Sequence, residues 1–148
     1  MDMKLEVIVL PVADVERAKA FYGEQLRFRL DADFTVDEGY RVIQVTPPGS
    51  ECSLIFGTGV TAAAPGSLEG LHLIVTDIEK AIAELTERGV AVAGPFRDTT
   101  GVFHHAGTTG RIEGMHPERR SYGSFAAFHD PDGNGWFLQE ITQRAPGR

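Results

Sequence analysis

The chain has 148 residues, 42% of them hydrophobic and 24% charged, with 21 acidic residues against 14 Lys and Arg for a formal charge of −7. Such a length buries enough surface for one cored domain or two closely packed halves, and the acidic balance argues against nucleic acid, whose phosphates need a basic face. A lone cysteine, Cys52, excludes an internal disulfide framework and a cysteine-rich zinc site.

No apolar run approaches the ~20 residues of a membrane span. The opening residues MDMKLEV lack the apolar core of a signal peptide. A cytoplasmic protein with no membrane partner is the expectation.

In chain order, LEVIVLPV reads as a strand that meets Asp14 where a helix N-cap is wanted. Val15, Ala18, Phe21, Tyr22 and Leu26 then form a helical apolar stripe. FRLDADF, YRVIQV and CSLIFG follow as strand candidates, and residues 60–69 read as a small, Pro/Gly-marked linker. LHLIV opens the second half, Asp77 is its N-cap, and Ile78, Ala81, Ile82 and Leu85 give the helical stripe, with Gly89 as its stop. Beyond it the expected strands are VAVAG, one around VFHHAG, then YGSFAAFH and GWFLQEI.

The halves repeat. Val12, Asp14, Glu16, Ala18 and Ala20 fall on Val75, Asp77, Glu79, Ala81 and Ala83, each pair 63 residues apart. The fold class is therefore α+β, with two paired βαβββ modules whose mixed sheets curl into a cup-shaped pocket. One helix covers one face of each four-stranded sheet and leaves the other face open, so pairing the open faces makes a concave small-molecule site. The modules span 1–59 and 70–142, the second carrying a long polar loop over 97–123, and 143–148 form a frayed tail.

DPDGNG, residues 130–135, imitates the start of a calcium loop, but its twelfth position, which needs a bidentate Glu, is Ile141. It reads instead as a tight turn whose Asp and Asn side chains serve the backbone. With VADVERAKAFYGEQL near the start and HDPDGNGWFLQE near the end, the paired unit resembles the vicinal oxygen chelate superfamily over residues 4–142. That superfamily holds glyoxalase I, extradiol dioxygenases, methylmalonyl-CoA epimerases, and fosfomycin- and bleomycin-resistance proteins. In its metal-using members, His and Glu ligands project from the first and fourth strands of each unit. The matching positions here are Val7, Ile55, Gly70 and Phe137, none with a side chain that binds a divalent ion. The resemblance thus implies no cofactor, with a divalent metal disfavoured. The glycine common after the first helix is replaced by Arg27.

Strand alternation adds Val9 and His72 to the face of Val7 and Gly70, Ser53 to Ile55, and Gln139 to Phe137. The expected lining is apolar with His72, Ser53 and Gln139 as polar points, a balance suited to a small organic ligand. His72 is the candidate ligand partner or general base, with a hydrogen-bonded structural histidine as the plainer alternative. The loop over 97–123 is either a solvated connection or a lid bringing His104, His105, Arg119, Arg120 and Tyr122 to the ligand.

The expected function is that of a glyoxalase/bleomycin-resistance-like, metal-free binder of a hydrophobic or aromatic small molecule, in a homodimer. The alternatives are a glyoxalase-type lyase or isomerase using His72 without the usual metal, and a metal-dependent glyoxalase or dioxygenase.

Overall fold

The computed structural model describes residues 1–148. It divides into two compact units: Met1–Glu69 with His129–Gly135, and Gly70–Phe128 with Trp136–Arg148. Their sheets, of four and five strands, are both mixed, which makes the protein α+β as expected.

In the first unit, β1 (Val7–Val9) leads to α1 (Val15–Ala20), followed by β2 (Arg29–Asp37), β3 (Tyr40–Thr46) and β4 (Ser53–Thr58) in the sheet order β1-β4-β3-β2. Asp14 caps α1 by accepting the Arg17 N–H at 3.1 Å. The helix then widens into a π-turn over Phe21–Gln25, in which Leu26 N–H reaches the Phe21 carbonyl at 2.9 Å. Such a turn accommodates one extra residue, and both Phe21 and Tyr22 are buried. Arg27 ends the segment at φ 57°, the left-handed position that the missing glycine would occupy with less strain.

Leu10, Ile43, Val45 and Phe56 are fully buried on one face of this sheet, and Tyr22 lies 5.6 Å from the Phe56 ring. Burying each such side chain contributes about 1.5–3 kcal/mol. The DPDGNG turn completes the unit. Asp130 accepts the N–H groups of Asp132 and Asn134 on Oδ1, both at 2.9 Å, and Tyr22 O–H at 2.7 Å on Oδ2. Asn134 Nδ2 donates to Asp130 Oδ2 and to the Pro11 carbonyl, while its Oδ1 accepts Leu68 N–H. Asp130 therefore acts as a buried hydrogen-bond hub, which is turn chemistry and not a calcium loop.

The second unit contains β5 (Leu71–Val75), α2 (Ile78–Glu87), β6 (Ala93–Asp98), β7 (Arg111–Glu113), β8 (Phe125–His129) and β9 (Gly135–Glu140), in the sheet order β5-β9-β8-β6-β7. Asp77 caps α2 through Lys80 N–H at 3.0 Å, repeating the Asp14 cap, and Gly89 at φ 84° ends it. All six residues of β9 are buried. Trp136, Leu138 and Glu140 share one face, where Glu140 Oε2 accepts Ile78 N–H at 2.9 Å and so adds a second anchor to the start of α2.

The strand expected around VFHHAG is not one. Residues 99–110 form a chain of turns, and the extra strand is Arg111–Glu113. Apolar residues at 102 and 103 suggested pairing, but the glycines at 101, 107 and 110 all adopt positive φ, which breaks an extended run. The strand expected at VAVAG begins only at Ala93 and runs on to Asp98.

Candidate functional site

Strand register builds the site from the second sheet. His72 pairs with Phe137 across β5 and β9, and Phe96 pairs with Phe125 across β6 and β8. Alternation places these four side chains on the face opposite Trp136 and Leu138. Phe96, Phe125, Ala127 and Phe137 form one buried cluster.

The 99–110 loop folds back onto this face. His104 stacks on Phe137 with ring centroids 3.8 Å apart and an angle of 18°, and it meets His72 at 4.9 Å. Phe103 lies 5.2 Å from His72 and edge-on to Phe125 at 6.1 Å. Asp98 holds the loop root: it accepts Thr100 N–H and hydroxyl on Oδ2 and His105 Nδ1–H on Oδ1, the last at 2.6 Å. The Thr100 hydroxyl first, and His105 after it, keep the Asp98 carboxyl low, at about 2, against the opposing effect of burial. Gly110 at φ 72° makes room, because a Cβ there would lie 2.5 Å from His105 Nδ1.

The two imidazoles on the face share one arrangement. His72 Nδ1 bonds the Gly70 carbonyl at 2.9 Å, and His104 Nδ1 bonds the His105 carbonyl at 3.1 Å. A carbonyl only accepts, so each Nδ1 carries a proton, and in a neutral ring each Nε2 is then an acceptor. Both Nε2 atoms are buried without a partner. Burial first, and the nearby His104, push the His72 pKa down, with the Gly70 bond opposing.

At the sheet edge, the Arg111 guanidinium lies 4.2 Å from the Phe96 centroid and 5.9 Å from that of Phe137. Its Nη2 donates to the Gly107 carbonyl at 3.1 Å. Arg111, Phe96, Glu113, Gly94 and Pro95 line a cavity of about 470 Å³, a size common for small-molecule sites.

The remaining expected residues are distributed as follows. Val7 pairs with Ser53 and Val9 with Ile55 in the first unit's sheet, where Ser53 Oγ bonds Thr46 Oγ1 at 2.7 Å. Gly70, at φ 82°, contributes its carbonyl to His72. Gln139 is buried and donates to the Tyr122 carbonyl at 3.0 Å. Of the loop residues expected at the ligand, only His104 stacks with His72. His105 faces Asp98, Arg120 donates to the Gly101 carbonyl at 2.7 Å, and the Tyr122 hydroxyl accepts Ala145 N–H at 3.0 Å. Arg119 binds Glu140 on the other face.

Sequence reading missed Phe96, Phe103, Phe125 and Arg111. Phe125 was legible from its alternation with Ala127. Phe103 and Arg111 depend on where a loop folds, for which no local signal exists.

Nowhere do three or more His, Cys, Asp or Glu side chains gather in a way that could hold a metal ion. His72 and His104 do not make a pair of ligands either. Imidazole lone pairs lie in the ring plane, and stacked rings only 26° from parallel do not aim them at one point ~2 Å from both nitrogens.

Residues 4–138 match the family described as the Glyoxalase/Bleomycin resistance protein/Dioxygenase superfamily. The chain belongs to that superfamily. Among solved structures, it is similar to TnmS3, an antibiotic binding protein from Streptomyces sp. CB03234, at 34% identity and a TM-score of 0.71, covering 95% of this chain and 97% of that one. A superfamily member from Sphaerobacter thermophilus DSM 20745 is 30% identical with a TM-score of 0.69, covering 94% and 98%. The uncharacterized protein YetH of Bacillus subtilis (strain 168) is 25% identical over 140 residues, 95% of this chain and all of that protein.

Proposed function

We propose that this protein binds a planar aromatic small molecule, without a metal, on the β5-β9-β8-β6 face of its second unit. The observation that carries the reading is the His72–His104–Phe137 stack, in which aromatic faces adjoin two buried imidazole nitrogens that have no partner in the chain. Apolar walls with a few convergent polar groups are what such ligands select. The cavity beside Arg111 and Phe96 adds donors at one end. Similarity to an antibiotic binding protein supports the same reading. The lack of a donor at Val7, Ile55, Gly70 and Phe137 supports its being metal-free. A homodimeric, cytoplasmic protein is part of the proposal, and light scattering tests the dimer.

Native mass spectrometry and elemental analysis of the protein as purified test the proposal. A retained organic mass with no stoichiometric metal is the expected result, and about one metal per chain would overturn it.

A second reading is a metal-free lyase or isomerase with His72 as general base. It is favoured by one observation: burial keeps the His72 pKa down while the Gly70 carbonyl fixes its tautomer. Turnover of a bound ligand, abolished in His72→Phe, would select it over simple binding.

A further inference from the structure

We propose that Asp98 and His105 form a reactive dyad at the root of the 99–110 loop, in which His105 Nε2 is the nucleophile that cleaves activated esters or thioesters. His105 takes no part in the ring stack, and the proposal stands apart from the aromatic-binding reading.

Hydrogen bonds decide which histidine lone pair is available. His105 Nδ1 lies 2.6 Å from Oδ1 of buried Asp98, whose carboxyl is held at about 2. An ionised carboxylate only accepts, so Nδ1 carries the proton and Nε2 holds the lone pair. The His105 side chain is 42% exposed, and its Nε2 has no partner in the chain. His72 and His104 have the same tautomer, but their Nε2 atoms are buried. His116 is reversed. Its Nδ1 accepts Glu118 N–H at 3.2 Å and Arg120 N–H at 3.4 Å, which leaves the proton on Nε2. His129 is exposed, with no carboxylate bonded to it. Only His105 joins an oriented ring, an accessible lone pair and a buried anion.

The anion counts because attack on a carbonyl puts positive charge on the imidazole. Asp98 accepts the Nδ1–H that shares this charge, so the hydrogen bond becomes charge-assisted as the bond to carbon forms. Nε2 adds to the acyl carbon, the C–O or C–S bond breaks, and a phenolate or thiolate leaves with the electron pair. The acylated ring gives its Nδ1 proton, through solvent, to that leaving group. Water then adds to the acyl-imidazole, releases the carboxylic acid and restores the neutral ring. The net reaction is ester or thioester plus water to acid plus phenol or thiol, with no other reactant.

Diethyl pyrocarbonate labelling of the full chain at about pH 8, where an ordinary imidazole is neutral, ranks the histidines by peptide mass spectrometry. His105 should react first, about tenfold ahead of His129, the rate equivalent of the gain in a charge-assisted bond. His72, His104 and His116 should react last. Asp98→Asn should slow His105 to the rate of His129, and the wild-type ranking remains a test if that variant fails to fold. With p-nitrophenyl acetate, nitrophenolate release should continue past about one equivalent per chain and be lost in His105→Gln. A purely loop-pinning role would leave His105 no faster than His129, and that result would overturn the proposal. So would release that stops at the first equivalent, or that persists undiminished in His105→Gln.

Discussion

His104 lies face to face with Phe137, 3.8 Å between centroids, although 33 residues of chain and a series of turns separate them. The contact places a loop imidazole on a buried strand residue. Truncating the two partners should therefore have unequal effects. Phe137→Ala should cost about 3–5 kcal/mol by opening a cavity under the stack, whereas His104→Ala should cost under about 1 kcal/mol. Urea unfolding of both variants checks the difference, and equal losses would contradict it.

Tyr22→Phe should cost about 1–3 kcal/mol, because it removes one of two donors from Asp130 Oδ2 in a buried hub. Chemical denaturation measures the cost. A neutral effect would mean that Asn134 alone satisfies that oxygen.

The paired caps predict paired losses. Asp14→Ala and Asp77→Ala should each cost about 1 kcal/mol in denaturant unfolding. Any excess should fall on Asp77, which Arg119 also approaches at 3.5 Å.

Acid should weaken the fold in a defined window. Arg119 chiefly, and Ile78 N–H after it, hold the Glu140 carboxyl below its ordinary value against the effect of burial, and Asp98 is held at about 2. Because both folded values are depressed, their stabilisation is complete above the ordinary carboxylate range of about 4 and is lost as pH falls through the folded values. Unfolding free energy measured against pH should decline below about pH 4, and Asp98→Asn should remove part of that decline. An identical slope in the variant would exclude Asp98 as a contributor.

His72 predicts a second pH effect nearer neutrality. Its folded pKa is lowered from 6.5, so the unfolded chain binds that proton more readily. The stabilisation is therefore full above about pH 6.5 and declines as pH falls toward the folded value. Denaturation of the wild type and His72→Phe across that range should show a slope in the first that is reduced in the second.

Much of this protein is legible in its sequence because the determinants are local. An Asp before each apolar stripe specifies two helix starts, alternation assigns His72 and Phe137 to one face, and DPDGNG specifies a turn because Asp130 Oδ1 accepts the N–H groups of Asp132 and Asn134 within it. The VFHHAG segment shows the limit. Its apolar residues satisfy a strand pattern, yet positive-φ glycines on either side turn it into a loop. Where that loop lands was decided only by tertiary structure. Asp98, Thr100 and His105 pin its root, and the rings of Phe125 and Phe137 provide the surface on which Phe103 and His104 come to rest. Stacking is a through-space contact with no sequence period, so neither the His104–Phe137 stack nor the position of Arg111 over Phe96 could be read before the chain was folded.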